Sequence, residues 1–458
     1  MKPWLLSMAV LSLAACATAP APEPPASTSA GAFINAPAEA AELPANWWQL
    51  YDDPVLDALV TASLAANADL RTAYARLVSA RAGTAQARAA RLPQTRIESS
   101  ATVDHPSEQP SASSVPATDY DVAATVSWEL DLFGRLRAGA IAANADADAS
   151  AAALDGLRVA VAADTVSAYV ELCAAREGAA AADKVIAAQA ELTANLRSQL
   201  AAGELSQLEV AQAESLLAAT GASRPGFDAA AAIARYRLGE LRGLTPADPI
   251  LAGIDCSTLP RLPATLPIGD GQALLWRRPD IREAERRLAA ASARIGVATA
   301  ELYPVINLGG AIGLLSGSLV ATATPLITWT FPNQSPARAR IAQATANEQA
   351  ALAAWDSVTL RALREVESAL LAMAAEAQRK EALSTAIGSA ERTLMLAASR
   401  VHYGDASPLL RIEAERVRAD LTRQRIDSSI ALARQQLSLF RALGGGWQQA
   451  PAPLAAAR

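Results

Sequence analysis

Cysteine and histidine are the side chains best able to bind a metal or attack a substrate, and both are scarce. The chain of 458 residues has 3 Cys and 2 His. Cys173 and Cys256 stand alone, without the short spacings by which thiols hold zinc or run redox chemistry, and read as buried inert thiols. His105 and His402 have no His or Cys near them in sequence, so no metal site is expected. There is no nucleophile elbow or phosphate loop, and the Lys, Asp and Glu pairs on the helical stretches read as solvated faces. These residues predict no catalysis and no cofactor. The 4 Met form no cluster that would point to bound copper or silver. A net charge of -6 leaves no basic footprint for nucleic acid.

The third cysteine is different. MKPWLLSMAVLSLAAC opens with Lys2, continues through an apolar run from Trp4 to Leu13, and ends in small residues before Cys16. Residues 1–15 therefore read as an export signal, to be set aside from the fold. The ending Leu13-Ala14-Ala15-Cys16 resembles a bacterial lipobox, which implies that Cys16 becomes the lipidated first residue. Ala17, not being Asp, then points to the outer membrane. Several acyl chains on one residue anchor firmly. An ordinary Ala-x-Ala-type cleavage site is the alternative. No later apolar run reaches the 18 or so residues a spanning helix needs, so any membrane crossing must be made by strands.

Those chemically quiet residues sit on a regular framework. Residues 16–46 contain APAPEPPASTSA and read as a Pro/Ala/Ser-rich tether. Helical periodicity begins at Trp47 and stops at Leu92-Pro93. From Tyr120 to Leu132 apolar or small residues alternate with Asp121, Thr125, Ser127, Glu129 and Asp131, the period of a strand with one oily and one wet face. With the weaker alternating run RIESSATV it makes a hairpin over about 94–133, and its long polar loop suits the outer side of a bacterial barrel. Beyond Arg135 the chain turns Ala-rich. Apolar residues are 52% of the sequence but aromatics only 4%, a balance that suits long, closely packed helices.

The second half repeats the first. ELYPVINLGGAIG answers ARLPQTRIESSA, and ATATPLITWTFP answers the strand at Tyr120. Trp329, Gly404, Ser407, Leu409, Glu415 and Gly444 each lie 201 residues beyond Trp128, Gly203, Ser206, Leu208, Glu214 and Gly243. That is a duplication of one large unit, far longer than a solenoid repeat. The expected organisation is a first repeat over 47–265, a second over 266–447 and a tail over 448–458. The second β-hairpin falls at about 304–332. Helical hairpins fall at about 135–243 and 336–443, each with an outgoing helix of roughly 68 residues, or on the order of 100 Å. Gly203 and Gly404 mark their tips, and Pro225 should break the first returning helix.

About four strands per chain cannot close a barrel, and open edges are not tolerated in lipid. The strands must be shared: two chains would give eight strands and a filled interior, three would give twelve and room for a pore. Asp121, Thr125, Ser127, Glu129 and Asp131 would then wet the channel, with Val122, Val126, Leu130 and Leu132 toward lipid. Trp128 and Trp329, near strand ends, fit a membrane girdle, with simple core packing as the alternative.

Several separated motifs together resemble the TolC-like outer-membrane efflux proteins, in their lipidated OprM/NodT-type branch. They are WWQLYDDPVLDALV at Trp47–Val60, Arg277-Arg278-Pro279-Asp280-Ile281 with Ala284-Glu285 and Ile295-Gly296, and ALGGGW at Ala442–Trp447. The resemblance runs from about Trp47 to Trp447. It implies a mainly α fold with a membrane β part: a homotrimer whose shared 12-stranded barrel continues as an α-helical tunnel into the periplasm. It also implies a passive, gated exit duct for small molecules such as drugs, working with a periplasmic adaptor and an inner-membrane pump of RND type. Leu409 or Leu410 then falls at the apolar periplasmic constriction. Glu413 stands where the family usually has Asp, in a ring of like charge that would favour cations. Its alternative is pairing with Arg411 or Arg416 on a solvated face. Gly203, Ser206, Gly404 and Ser407 resemble the tips to which adaptor helices dock, or are simply helix caps. Pro332-Asn333-Gln334-Ser335 departs from the family's Phe-Asp-Gly-Gly-like turn. A duct for protein secretion and a structural coiled-coil lipoprotein are the rival readings, and neither cargo nor pump partner is legible.

Overall fold

The computed structural model describes residues 33–35, 44–104, 117–256, 258–260, 262–263, 268, 277–315 and 318–445. Cys16, most of the predicted tether, the loop between the first two strands, and Trp447 lie outside these residues. Two compact units emerge, one over 75–152 and 280–358, the other over 29–74, 153–279 and 359–458. Each draws matching stretches from both repeats.

The first unit is built around a four-stranded antiparallel sheet in the order β1-β2-β3-β4, with β1 at Gln94–Asp104, β2 at Ala117–Leu130, β3 at Val305–Leu315 and β4 at Ser318–Thr328. Register carries the alternation of β2 across all four strands, because residues directly opposite share a face. Ile97, Ala124 and Ile312 line up in one row, and Trp128 meets Leu308. One row over, Arg96, Thr125, Ala311 and Thr322 line up. One face is therefore apolar and the other polar. Gly313 has a physical reason: a Cβ there would lie 2.3 Å from the Val122 carbonyl oxygen.

The passage from strand to helix is tightly capped. Asp131 accepts from the backbone N–H groups of Leu136 and Arg137 at 2.9 and 2.7 Å, opening helix α3 (Arg135–Ala201). Glu129 and Arg135 form a two-point ion pair, and Phe133 stacks on Tyr303. In the second repeat, Gln334 donates to the Leu302 carbonyl and Asn333 caps Ser335. Helix α8 (Ser335–His402) starts there. The PNQS departure thus still makes a capped junction. Helix α2 (Ala68–Ala89) lies beside α3, with Thr84 donating to the Ala143 carbonyl.

The second unit holds the distal parts of α3 and α8 and their returning helices. The first return is split into α4 (Gln207–Gly221) and α5 (Arg224–Leu241), with Pro225 in the first turn of the second piece. The other return, labelled α9 (Pro408–Leu443), is unbroken. Position Ile426, which answers Pro225, has the N–H that proline lacks. Helix α1 (Pro54–Ala66) is capped by Asp53, and the preceding turn seats Trp47, fully buried, against Phe440 at 4.6 Å. A short helix α6 (Pro249–Ala252) ends the first repeat, and α7 (Pro279–Ala300) begins the second.

Candidate functional site

The two helical tips have the same construction. Gly203 and Gly404 sit at φ 75° and 76°, a left-handed conformation that costs other L-residues about 1–2 kcal/mol. The N–H of each following residue reaches back to close the turn, Glu204 to Gln199 at 3.0 Å and Asp405 to Arg400 at 2.8 Å. Ser206 and Ser407 then cap α4 and α9, each accepting from a backbone N–H at 3.3 Å. The capping geometry of all four predicted docking residues is therefore explicit. The first tip adds Glu209, whose carboxyl is held below the usual carboxylate range by the Ser206 hydroxyl.

A buried apolar cluster joins the tips. Leu192, Leu196, Val210 and Ala213 from the first hairpin enclose Ile412 from the second, with Leu409 and Leu200 packed against them. This separates the two gate candidates. Leu409 is drawn toward the cluster, while Leu410 remains exposed. Glu413, one turn on, shares the exposed face of Leu410. Its carboxylate takes both a 2.9 Å and a 2.6 Å hydrogen bond from Arg416. That guanidinium holds the Glu413 carboxyl below its usual range, and the Glu413 carboxylate in turn raises the pKa of Arg416. Arg416 is thus the partner in place, rather than Arg411. Asp420 is lowered in the same way by Arg423 and then Gln424.

Trp128 and Trp329 occupy equivalent positions on the first unit. Each indole N–H donates to a carbonyl two residues before the proline that precedes the first strand of its repeat: Arg91 at 3.0 Å and Leu302 at 3.1 Å. Both rings stay exposed. The predicted wet residues Thr125, Ser127 and Glu129 share the polar face of β2. Among the described residues no group of His, Cys, Asp and Glu is arranged to hold a metal.

The expectation of free thiols is overturned. Cys173 and Cys256 form a disulfide, with Cα atoms 5.0 Å apart across a sequence separation of 83. Spacing along the chain hid it, because α3 and the connector after α6 meet only in the fold. An export signal together with two cysteines left over after Cys16 was the available clue. Sequence reasoning also missed two anchors. Arg278 donates to the Ala442 carbonyl at 2.8 Å and to Glu365 at 2.9 Å. Glu367 on α8 accepts from the Ile34 N–H and the Asn35 amide, while Phe33 is buried.

A family model described as outer membrane efflux protein matches residues 59–244 and 271–445. The chain is 30% identical over 382 residues to Nodulation protein T of Rhizobium leguminosarum bv. trifolii, covering 81% of each. It is 30% identical over 463 residues to outer membrane protein OprJ of Pseudomonas aeruginosa, covering 96% of this chain and 95% of the other. The solved outer-membrane channel OprN superposes with a TM-score of 0.87 at 33% identity, covering 94% of this chain and all of that one.

Proposed function

The chain belongs to the outer membrane efflux protein family, and from that premise we propose that three copies close one duct through which an energised pump expels small molecules such as drugs. The observation that carries this reading is the sheet. It has one apolar and one polar face, and among the described residues its four strands pair in the order β1-β2-β3-β4, with β1 and β4 at its edges. Such a sheet is stable in lipid only when closed with others. Twelve strands from three chains give a lumen wetted by the Thr125 face, with the Val122 face toward acyl chains.

In this reading the protein performs no bond chemistry. It supplies a pore, a gate and docking surfaces. Leu410 and Glu413 form the periplasmic constriction, Glu413 contributing a charged ring that draws cations. Leu409 supports it from the cluster behind. The tips at Gly203, Ser206, Gly404 and Ser407 present preformed turns to a periplasmic adaptor, behind which stands an inner-membrane pump of RND type. Trp128 and Trp329 lie at a membrane interface, apolar body outward and N–H satisfied. Lipid on Cys16 anchors each chain to the outer membrane, and residues 16–46 tether it to the body.

Deleting the gene in the native host tests the reading. Accumulation of a dye and of a panel of antibiotics should rise, and the wild-type gene should restore it more fully than Cys16→Ala. Unchanged accumulation with loss of a protein from the medium would replace this proposal with protein secretion. If neither changed, absence of conductance by the purified protein in a bilayer would leave a structural lipoprotein.

A further inference from the structure

The Cys173–Cys256 bond falls where the first repeat hands over to the second. It closes a span that holds the distal part of α3, the first tip, α4, α5 and α6. The connector after α6 is laid along α3 around it. Asp255 meets Arg176 at 3.8 Å, the Leu259 N–H donates to Glu177 at 3.0 Å, and the Ile254 carbonyl accepts from Arg235. The second repeat has Ala374 at the position that answers Cys173. The staple therefore belongs to the first repeat alone.

Both sulfurs are enclosed in the folded chain. Cys173 is fully buried and Cys256 is 8% exposed. The small opening beside Cys256 is lined by Asp53, Tyr169, Asp255 and Thr258. An approaching thiolate would meet two carboxylates there, and like charges repel. Thiol–disulfide exchange needs the attacking and attacked sulfurs in line and accessible. The packed α3 offers no such access at Cys173, so oxidation has to come before the hairpin closes.

We propose that Cys173 and Cys256 are the modification site of a thiol–disulfide oxidoreductase of the export compartment, acting before the first hairpin packs. The thiolate of one cysteine attacks the partner's disulfide. A mixed disulfide forms and one partner sulfur leaves as thiolate. The second cysteine, as thiolate, attacks the chain sulfur of that mixed bond and expels the other partner thiolate. The chain gives up two electrons and two thiol protons, and the partner ends as a dithiol. Lipidation of Cys16, a clause that rests on the reading above, removes the third thiol from the pool. One pairing is then left, so the chain needs an oxidant but no disulfide isomerase.

Alkylation with a polyethylene-glycol maleimide of protein denatured directly from acid-quenched cells tests this on the full-length wild-type chain. No reactive thiol is expected in the wild-type host or in a host lacking the isomerase. Two per chain are expected in a host lacking the dithiol oxidase, with the yield of assembled protein falling several-fold. Two reactive thiols in the wild-type host, or none without the oxidase, would overturn the proposal. A single reactive thiol per chain in the wild-type host would show Cys16 free and overturn the single-pairing clause. Folded protein treated with dithiothreitol before alkylation should stay unreactive, and rapid labelling would overturn the order of events. The gel shift reads the bond whatever the cargo, so a failed efflux reading leaves this result standing.

Discussion

Arg278 shows how one side chain fixes the end of a long helix. It is nearly buried and spends its guanidinium on the Ala442 carbonyl and Glu365. Gly444 closes α9 at φ 67°, where a Cβ would stand 2.8 Å from the Arg278 Cγ. Arg278→Ala leaves a buried carbonyl unpaired and should destabilise the chain by about 2 kcal/mol. Gly444→Ala adds left-handed strain of about 1–2 kcal/mol and displaces the arginine. Thermal unfolding of the purified protein should place both variants below wild type. A wild-type melting point for Gly444→Ala would refute the cap argument. The signature around Arg277-Arg278 was legible as a motif, but its physical role was not. Arg278 and Ala442 are 164 residues apart in sequence, and nothing local in either stretch predicts the other.

Glu413 makes a pH prediction at the same scale. Its carboxyl is held down by Arg416, so the charged form is favoured in the folded state. The favourable pairing is present above the ordinary carboxylate pKa and is lost as pH falls through the lowered value. Arg416→Ala removes that hold. The pH at which the reconstituted channel loses its cation preference should therefore move upward from wild type. Glu413→Gln should weaken the preference at every pH. Reversal potentials across a bilayer read both, and an unchanged preference in Glu413→Gln would remove Glu413 from the gate.

Elements were more legible than contacts, for a physical reason. A period of two survives in β2 because each residue needs only its own face, and long Pro-poor Ala-rich runs bounded by tip glycines mark α3 and α8. Pro225 marks the break in the first return, which the structure places just before it. β3 was fainter, since Gly309, Gly310 and Gly313 dilute the alternation, and at Gly313 the constraint comes from the neighbouring strand. The disulfide and the seat of Phe33 depend on distant segments meeting, so no local pattern carried them. The two sheet faces can be tested by paired substitutions. Val122→Arg puts a charge on the apolar face, at a cost of about 2–4 kcal/mol if it lies near the bilayer midplane. Thr125→Arg, three residues on and on the other face, should assemble normally and change conductance instead. Heat stability of the folded protein on gels and single-channel current distinguish the outcomes. Equal loss in both variants would contradict the assignment of faces.

At the scale of the whole molecule, the sheet edges argue for sharing strands between chains, and the proposed duct argues for how many. Among the described residues of one chain β1 pairs with β2 alone and β4 with β3 alone. Unpaired backbone donors and acceptors cost several kcal/mol each in hydrocarbon, so every β1 edge needs a β4 edge from another chain. Two chains satisfy that rule with eight strands, but side chains then fill the interior. Three chains satisfy it with twelve and leave a passage, so the duct proposed above calls for a trimer where hydrogen bonding alone does not. A cysteine on β1 combined with a scan of cysteines along β4 should cross-link neighbouring chains in membranes at a few adjacent positions. Cys173 and Cys256 are already bonded to each other, so the introduced thiols can report without interference. Partial oxidation should give bands of one, two and three chains, and full oxidation should collapse them into the three-chain form. A ladder that stops at two would mean a filled barrel and no duct. A ladder that continues past three would mean open-ended edge pairing, which a closed channel does not permit.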